Sequence, residues 1–345
     1  MTHTPHTFTR YAAVGTPVAL GDGVPIRARA SVADHTPVWR PAAAATAAAE
    51  SVATPAAAER LAAPASAATE ATTPFAAFAA LHRPGSPLLL PNAWDHASAV
   101  ALVEAGFLAI GTTSLGVAAA VGRPDAVGAT REETLRLARR LGRGRERGRF
   151  LLSVDAEGGF SDDPADVAEL ARELAGAGVV GINLEDGRSD GTLAPVELHV
   201  AKIEAVKAAV PGLFVNARTD VYWLGGGQEG EDKDEDETSY RLDAYSRAGA
   251  DGVFVPGLSD RTGIARLVER LHVPLNILHT PSGPTVAELG ELGVARVSLG
   301  SLLFRVALGA AVGAAVDIRA GRPAGAGAPS YDEVQDRIRI TGPLG

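Results

Sequence analysis

A regular alternation, more than any single motif, limits what this chain can become. From Phe75 onward, short apolar runs take turns with longer amphipathic stretches. The runs are Leu88–Pro91, Leu108–Thr112, Phe150–Asp155, Val179–Leu184, Leu213–Ala217, Gly252–Val255, Pro274–Ile277 and Ala295–Leu299. Their length and their apolar, β-branched content suit strands buried on both faces. Between them lie helical patterns at Ala97–Ala105, Glu132–Leu141, Pro164–Ala177, Val196–Ala209, Ser239–Ala248, Arg261–Leu271, Thr285–Leu292 and Leu302–Ala320. Four of these stop at a glycine (Gly106, Gly178, Gly249, Gly293), which takes the left-handed conformation that ends a helix. Eight strand–helix units in succession predict an α/β fold, a (β/α)8 TIM barrel, over residues 74–322. The competing architecture, a doubly wound sheet, typically carries a Gly-rich phosphate turn after its first strand. Here that strand runs into Pro91-Asn92-Ala93-Trp94-Asp95. Polar clusters follow several different strands instead, as the mouth of a barrel requires.

The flanks read differently. From Pro41 to Glu70, 16 of 30 residues are Ala, interrupted by Pro41, Pro55 and Pro64 and with little apolar bulk to bury. Residues 1–73 are therefore expected to be a disordered or weakly helical extension, with a transit peptide as the minor alternative. Residues 323–345 are taken as a C-terminal tail. The run Glu229–Glu237 has seven acids and one Lys, and reads as a solvated loop over the barrel mouth in preference to a metal-binding run.

Composition excludes several functions. A formal net charge of −9 opposes nucleic-acid binding, which needs a basic surface to displace counterions. The chain has no cysteine, so thiol nucleophiles, Cys-ligated zinc and disulfides are ruled out, and a cytoplasmic location is expected. No run of about 18 apolar residues predicts a membrane span.

The chemistry gathers at strand ends. In Ser153-Val154-Asp155-Ala156-Glu157-Gly158-Gly159-Phe160, strand alternation puts Asp155 and Glu157 on one side. The next strand ends in Asn183-Leu184-Glu185-Asp186. Acids at adjacent strand tips repel unless a hard cation lies between them, so three or four of Asp155, Glu157, Glu185 and Asp186 are expected at Mg²⁺, with Mn²⁺ as a substitute and with some ligands acting through water. The alternative is that each acid caps a helix or pairs with an arginine. Arg218, in Asn216-Ala217-Arg218-Thr219-Asp220, is a forked donor for a carboxylate or phosphate, or else the partner of a barrel acid. Gly111–Gly116 offers hydroxyls and N–H groups to a carboxylate; it lacks the first Gly of a serine-hydrolase elbow. Asp125 follows on a loop able to fold over the same mouth. His279 ends the seventh strand and is a candidate catalytic group facing the mouth, against the commoner structural role for a lone His.

These blocks, in this order and spacing from about Phe75 to Gly321, resemble the isocitrate lyase/phosphoenolpyruvate mutase superfamily. The resemblance implies a (β/α)8 barrel, Mg²⁺, a homo-oligomer (dimer or tetramer) that exchanges its eighth helix, and chemistry through a pyruvate enolate. It assigns Asp155, Glu157 and Glu185 to the metal, Thr113, Ser114 and Leu115 to the substrate carboxylate, Arg218 to substrate binding and Asp125 to catalysis. The chain departs from the family at the gate. The family's lyases place a Lys and a catalytic Cys there, and its mutases a Lys and an Asn. Here Gly187–Leu193 has none of these. The expected activity is thus decarboxylation or carbon–carbon cleavage of a small 2-oxo or 2-hydroxy (di)carboxylate. Two alternatives stay open: a phosphonopyruvate-type phosphonate enzyme, and a non-catalytic metabolite-binding relative. Asp125, Tyr222, His279 or water would supply the proton.

Overall fold

The structure, a computed structural model, describes residues 73–145, 150–225, 231–324 and 327–341. The expectation for the N-terminal extension falls, apart from Thr73, outside these residues. Helix α1 (Pro74–Ala79), capped by Thr73, leads into strands β1 (Leu88–Leu90) and β2 (Asn92–Ala93). Then follow α2 (His96–Glu104), β3 (Ala109–Thr112), α3 (Ser114–Ala120), α4 (Arg131–Arg145), β4 (Leu151–Asp155), α5 (Pro164–Gly176), β5 (Gly181–Glu185) and α6 (Val196–Ala209). The second half runs β6 (Phe214–Arg218), α7 (Val221–Gly225), α8 (Glu231–Arg247), β7 (Gly252–Val255), α9 (Arg261–Arg270), β8 (Leu275–Leu278), α10 (Val286–Glu291), β9 (Arg296–Ser298), α11 (Leu302–Arg319) and α12 (Tyr331–Thr341).

Every strand pair is parallel, and the order β1-β9-β8-β7-β6-β5-β4-β3-β2 runs from one half of a single barrel strand round to the other half. That strand is broken at Pro91, which has no N–H to give to a ladder. Its carbonyl still accepts from Gly111 N. The side chain of Asn92 closes the seam: Nδ2 donates to Thr112 O at 2.7 Å and Oδ1 accepts from Leu299 N at 3.2 Å. Eight barrel strands and their helices make the (β/α)8 barrel that the alternation predicts.

The strands form where apolar runs let both faces be buried. Leu152, Val154, Ile182 and Val215 are at most 1% exposed. Helix α5 shows how the outer layer is held. Asp163 caps it by accepting from Ala165 N, Pro164 opens it, and Val167, Leu170 and Leu174 are buried toward the sheet. Full burial contributes roughly 1.5–3 kcal/mol for each such side chain. At the opposite end of the barrel from the strand tips, Phe78 of α1 packs edge-on to Phe214 and to His82, and His82 stacks on Phe214.

Three features differ from expectation. The acidic run is no loop where it is described: residues 231–237 are the first turns of α8. Glu237 pairs with Arg241 at 2.7 Å one turn on, and Glu235 pairs with Arg266 of α9. Charged partners at helical spacing and on the neighbouring helix hold these acids in regular structure. Ser114–Gly116, in the Gly111–Gly116 stretch expected to bind a carboxylate, lie in a helix begun at Thr113. The tail contains α12, whose Arg337 pairs with Glu104 of α2 at 3.0 Å. Helix α11 contrasts with α5. It has no buried residue, and Val306, Leu308, Val312 and Ile318 are each more than half exposed.

Candidate active site

The C-terminal ends of the strands surround a cavity of about 140 Å³. Asp155, Glu185, Asp125, Ser114, Asn183 and Arg218 form its polar wall, and Leu115, Trp223, Leu224, Phe254, Pro256 and Leu278 its apolar wall. Thr113 also lines it. A second cavity adjoins it, sharing Ala126, Glu185, Gly187 and Arg188 and lined further by Glu157, Phe160, Asp162 and Lys202.

Asp155 ends β4. Its backbone N–H donates to Thr112 Oγ1 at 2.9 Å, and its Oδ2 accepts from Ser114 N at 3.2 Å. Oδ1 is buried with no partner. Asp125 sits opposite on the 122–130 loop, with Oδ1 also buried and unpartnered. Burial raises its pKa, against the lowering effect of a hydrogen bond from the Ser114 side chain. Burial likewise raises Glu157, and the loop opposes that shift: Thr130 Oγ1 and Gly128 N donate to its two oxygens at 2.8 and 3.0 Å. Glu157 is itself left-handed at φ 48°, as are Ala126 at 57° and Phe160 at 60°. These are the non-glycine residues with positive φ among those described, and all three line the paired cavities. Strain of this kind persists where the surroundings over-determine the backbone, and it clusters at functional sites.

Glu185 ends β5. Burial holds its pKa well above the ordinary range, although Arg218 Nη1 lies 2.7 Å from Oε2. Arg218 also donates Nε to Asp220 Oδ1 at 2.6 Å and Nη2 to Oδ2 at 3.1 Å. Two carboxylates thus hold one guanidinium, and its pKa is raised despite burial. The close approach of Asp220 requires glycine at 187, where a Cβ would come within 2.3 Å of Asp220 Oδ2. Asp186 does not line the main cavity and borders only the adjoining one. It is fully buried and accepts from Tyr245 Oη at 2.7 Å, Asp220 N at 2.9 Å and Arg241 Nη1 at 3.1 Å, tying β5 to α8.

The structure therefore gathers Thr113, Ser114, Leu115, Asp125, Asp155, Glu185 and Arg218 around one cavity. Glu157 faces the adjoining one, with both oxygens engaged by the loop. His279 stands apart: Leu278 lines the cavity and His279 does not. The gate stretch is a tight turn, with an antiparallel bridge between Gly187 and Leu193, and Arg188 reaching Asp162 at 2.9 Å. Sequence reasoning assigned no role to Asn183, Asp220, Trp223 or Phe254. For Asn183 a signal existed, since it lies two residues before Glu185 on the same face of the strand; for Trp223, which follows a strand at no fixed period, there was none.

As a magnesium site the cluster is sparse. Among the described residues no group of three or more His, Asp or Glu side chains is drawn together closely enough to hold an ion by itself. Mg²⁺ retains several waters and takes one or two carboxylates along with substrate oxygens. Asp155, with its unpartnered buried oxygen, fits that demand directly. Glu185 and Glu157, engaged by Arg218 and by the 122–130 loop, would reach such an ion only through water.

The chain is similar to several known proteins. The family model for phosphoenolpyruvate phosphomutase matches residues 78–319. An uncharacterized Mycobacterium tuberculosis protein is 43% identical over 262 residues, 76% of this chain and 96% of that one. Bacillus subtilis 2-methylisocitrate lyase is 34% identical, covering 57% of this chain and 64% of its own. Pseudomonas aeruginosa oxaloacetate decarboxylase is 33% identical, covering 59% and 70%.

Proposed function

The chain belongs to the phosphoenolpyruvate phosphomutase family, within the isocitrate lyase superfamily of lyases and mutases, and from that premise we propose that it is a Mg²⁺-dependent carbon–carbon lyase or decarboxylase. Its substrate is a small 2-oxo or 2-hydroxy (di)carboxylate, and the reaction passes through the enolate of pyruvate or a close relative. The observation that supports this most is Asp155, whose one oxygen accepts from Ser114 N while the other is buried and free, facing Asp125 and Arg218 across a cavity of small-acid size.

When bound, Mg²⁺ would supply Lewis-acid stabilisation of negative charge on the 2-oxo oxygen. The chain's residues do the rest. Thr113, Ser114 and Leu115 bound the cavity where the helix α3 begins, and Arg218 offers positive charge to the carboxylate that stays. As the carbon–carbon bond breaks, its electron pair enters the enolate, and the enolate carbon then needs a proton. Asp125 is the candidate donor because it lines the cavity with a buried, unpartnered Oδ1, and burial raises its pKa from the ordinary carboxyl value. Trp223, Leu224 and Phe254 give the cavity an apolar side. We also propose that a second copy of the chain covers the exposed apolar residues of α11, making a homo-oligomer, and that the enzyme works in the cytoplasm. Among the described residues no helix is long and apolar enough to cross a membrane.

Phosphonate transfer is the less favoured reading, since the named relatives above act as a lyase and a decarboxylase. The test is incubation of the protein and Mg²⁺ with oxaloacetate and a panel of alkylmalates and alkylcitrates, following pyruvate or glyoxylate. Turnover abolished by Asp125→Ala supports the proposal. Absence of turnover with every substrate, with metal shown to be bound, overturns it. Analogue binding that Asp125→Ala leaves unchanged, again without turnover, identifies a metabolite-binding relative instead.

A further inference from the structure

Below the cavity the barrel interior is polar. Asn183, Asn216 and Asn276 are buried there, and so is Arg296 at 1% exposure. Arg296 opens β9, and its guanidinium reaches across the barrel. Nη2 donates to Asn183 Oδ1 at 3.1 Å and Nε to Ser298 Oγ at 3.4 Å, while Nη1 has no partner. None of these acceptors is a carboxylate. Burial pulls its pKa down to about 9, and the field of Asp155 works against that shift. A buried charge without an ion-pair partner is costly, and an apolar side chain of similar size would fill the space more cheaply. Stability alone gives no reason for an arginine at this position.

The consequence falls on Asn183. Its Oδ1 receives two donors, Arg296 Nη2 and Asn216 Nδ2, the latter at 2.9 Å. Two donors on one oxygen give the amide a single orientation, with the oxygen turned into the barrel. Nδ2 is then the group left to the cavity, which Asn183 lines. Asn183 also stands in register with Asp155 on the adjacent strand. We propose that Asn183 Nδ2 is a substrate-binding donor on the cavity floor, and that Arg296 is the positioning residue that fixes it there from the far side of the barrel. A donor beside a cluster of acids selects a substrate oxygen, either the 2-oxo group or a carboxylate. The inference rests on the 2-oxo-acid reading of this site.

The test is calorimetric titration of the full chain with oxalate in the presence of MgCl₂, alongside thermal melts of the same samples. Arg296→Met removes the buried charge and leaves Asn216 Nδ2 alone to hold the amide oxygen. It is expected to weaken oxalate binding by about tenfold or more while leaving the melting temperature equal or higher. Asn183→Leu removes the donor without adding a charge, so it should lose oxalate binding, and Asn183→Asp, which keeps both acceptor contacts but adds a negative charge, should lose at least as much; should Arg296→Met fail to fold, the leucine variant decides. Arg296→Lys should restore part of the affinity. Oxalate binding within about twofold of wild type in Asn183→Leu and Arg296→Met overturns the inference. So does a loss of affinity that merely follows the melting temperature from variant to variant. If wild-type protein does not bind oxalate at all, the 2-oxo-acid reading falls, and this inference falls with it.

Discussion

Arg218 and Arg296 end inside the same barrel, and they are held in opposite ways. Arg218 lies at the mouth with three of its nitrogens on Glu185 and Asp220. Arg296 lies below, bound to an amide and a hydroxyl, with one nitrogen free. The first is the counter-charge of its surroundings; the second adds a charge that its immediate neighbours do not neutralise. Burial of an arginine says little by itself. What matters is whether removing it would leave carboxylates stranded or would release the interior from a cost.

Removing the two side chains should separate these cases most widely. Arg218→Met leaves Glu185 and Asp220 buried without their cation and should destabilise by about 3–5 kcal/mol. Arg296→Met should be neutral or stabilising, because it removes a buried charge that no ion pair offsets. Urea denaturation of both variants measures the gap, and equal losses would break the comparison.

A smaller effect lies in pH. Burial raises the folded pKa of Glu185, Glu157 and Asp125 above the ordinary carboxylate range. In the window between ordinary and raised values the native state binds more protons than the unfolded state, so stability falls as pH rises. This contribution is complete below the ordinary range and is lost as pH passes upward through the raised values. Each group contributes at most about 1.4 kcal/mol per pH unit. Melts of metal-free protein across that range should therefore show the melting temperature rising as pH falls. Glu185→Gln should flatten the slope, and Arg296→Met should leave it nearly unchanged. A slope untouched by Glu185→Gln would place the raised proton affinity elsewhere.

Thr130→Val comes next. It takes one of two donors from Glu157 and should cost about 1 kcal/mol, read as faster amide exchange in the 122–130 loop that carries Asp125. Protection unchanged in that loop would mean that Glu157 does not hold it. The smallest expected change is a control at the surface. Glu235→Ala breaks the pair with Arg266, half exposed on α9, and should shift stability by less than about 1 kcal/mol.

Much of this was legible in the residues. The eight apolar runs fall within two residues of the observed strands, because a strand buried on both faces leaves a plain apolar record. The four glycines read as helix stops all have φ between 90° and 100°. The acids at strand tips were legible too, since alternation fixes the side to which Asp155 points. Harder to read were α8 and α3. A run of acids resembles a loop until Arg241 and Arg266 stand beside it, and Ser114–Ala120 is too short to display a period.

What the sequence determined by itself is the barrel and the place of its mouth, because strand length, apolar character and glycine stops are local properties. Only the tertiary structure decided how the polar groups were divided. It turned Asp186 away to Tyr245 and Arg241, gave both oxygens of Glu157 to the 122–130 loop, left one oxygen of Asp155 free, and brought Arg296 to Asn183 across 113 positions of chain. Alternation says which side of a strand a side chain takes. The partner it meets there depends on barrel closure, which joins residues that no local pattern connects.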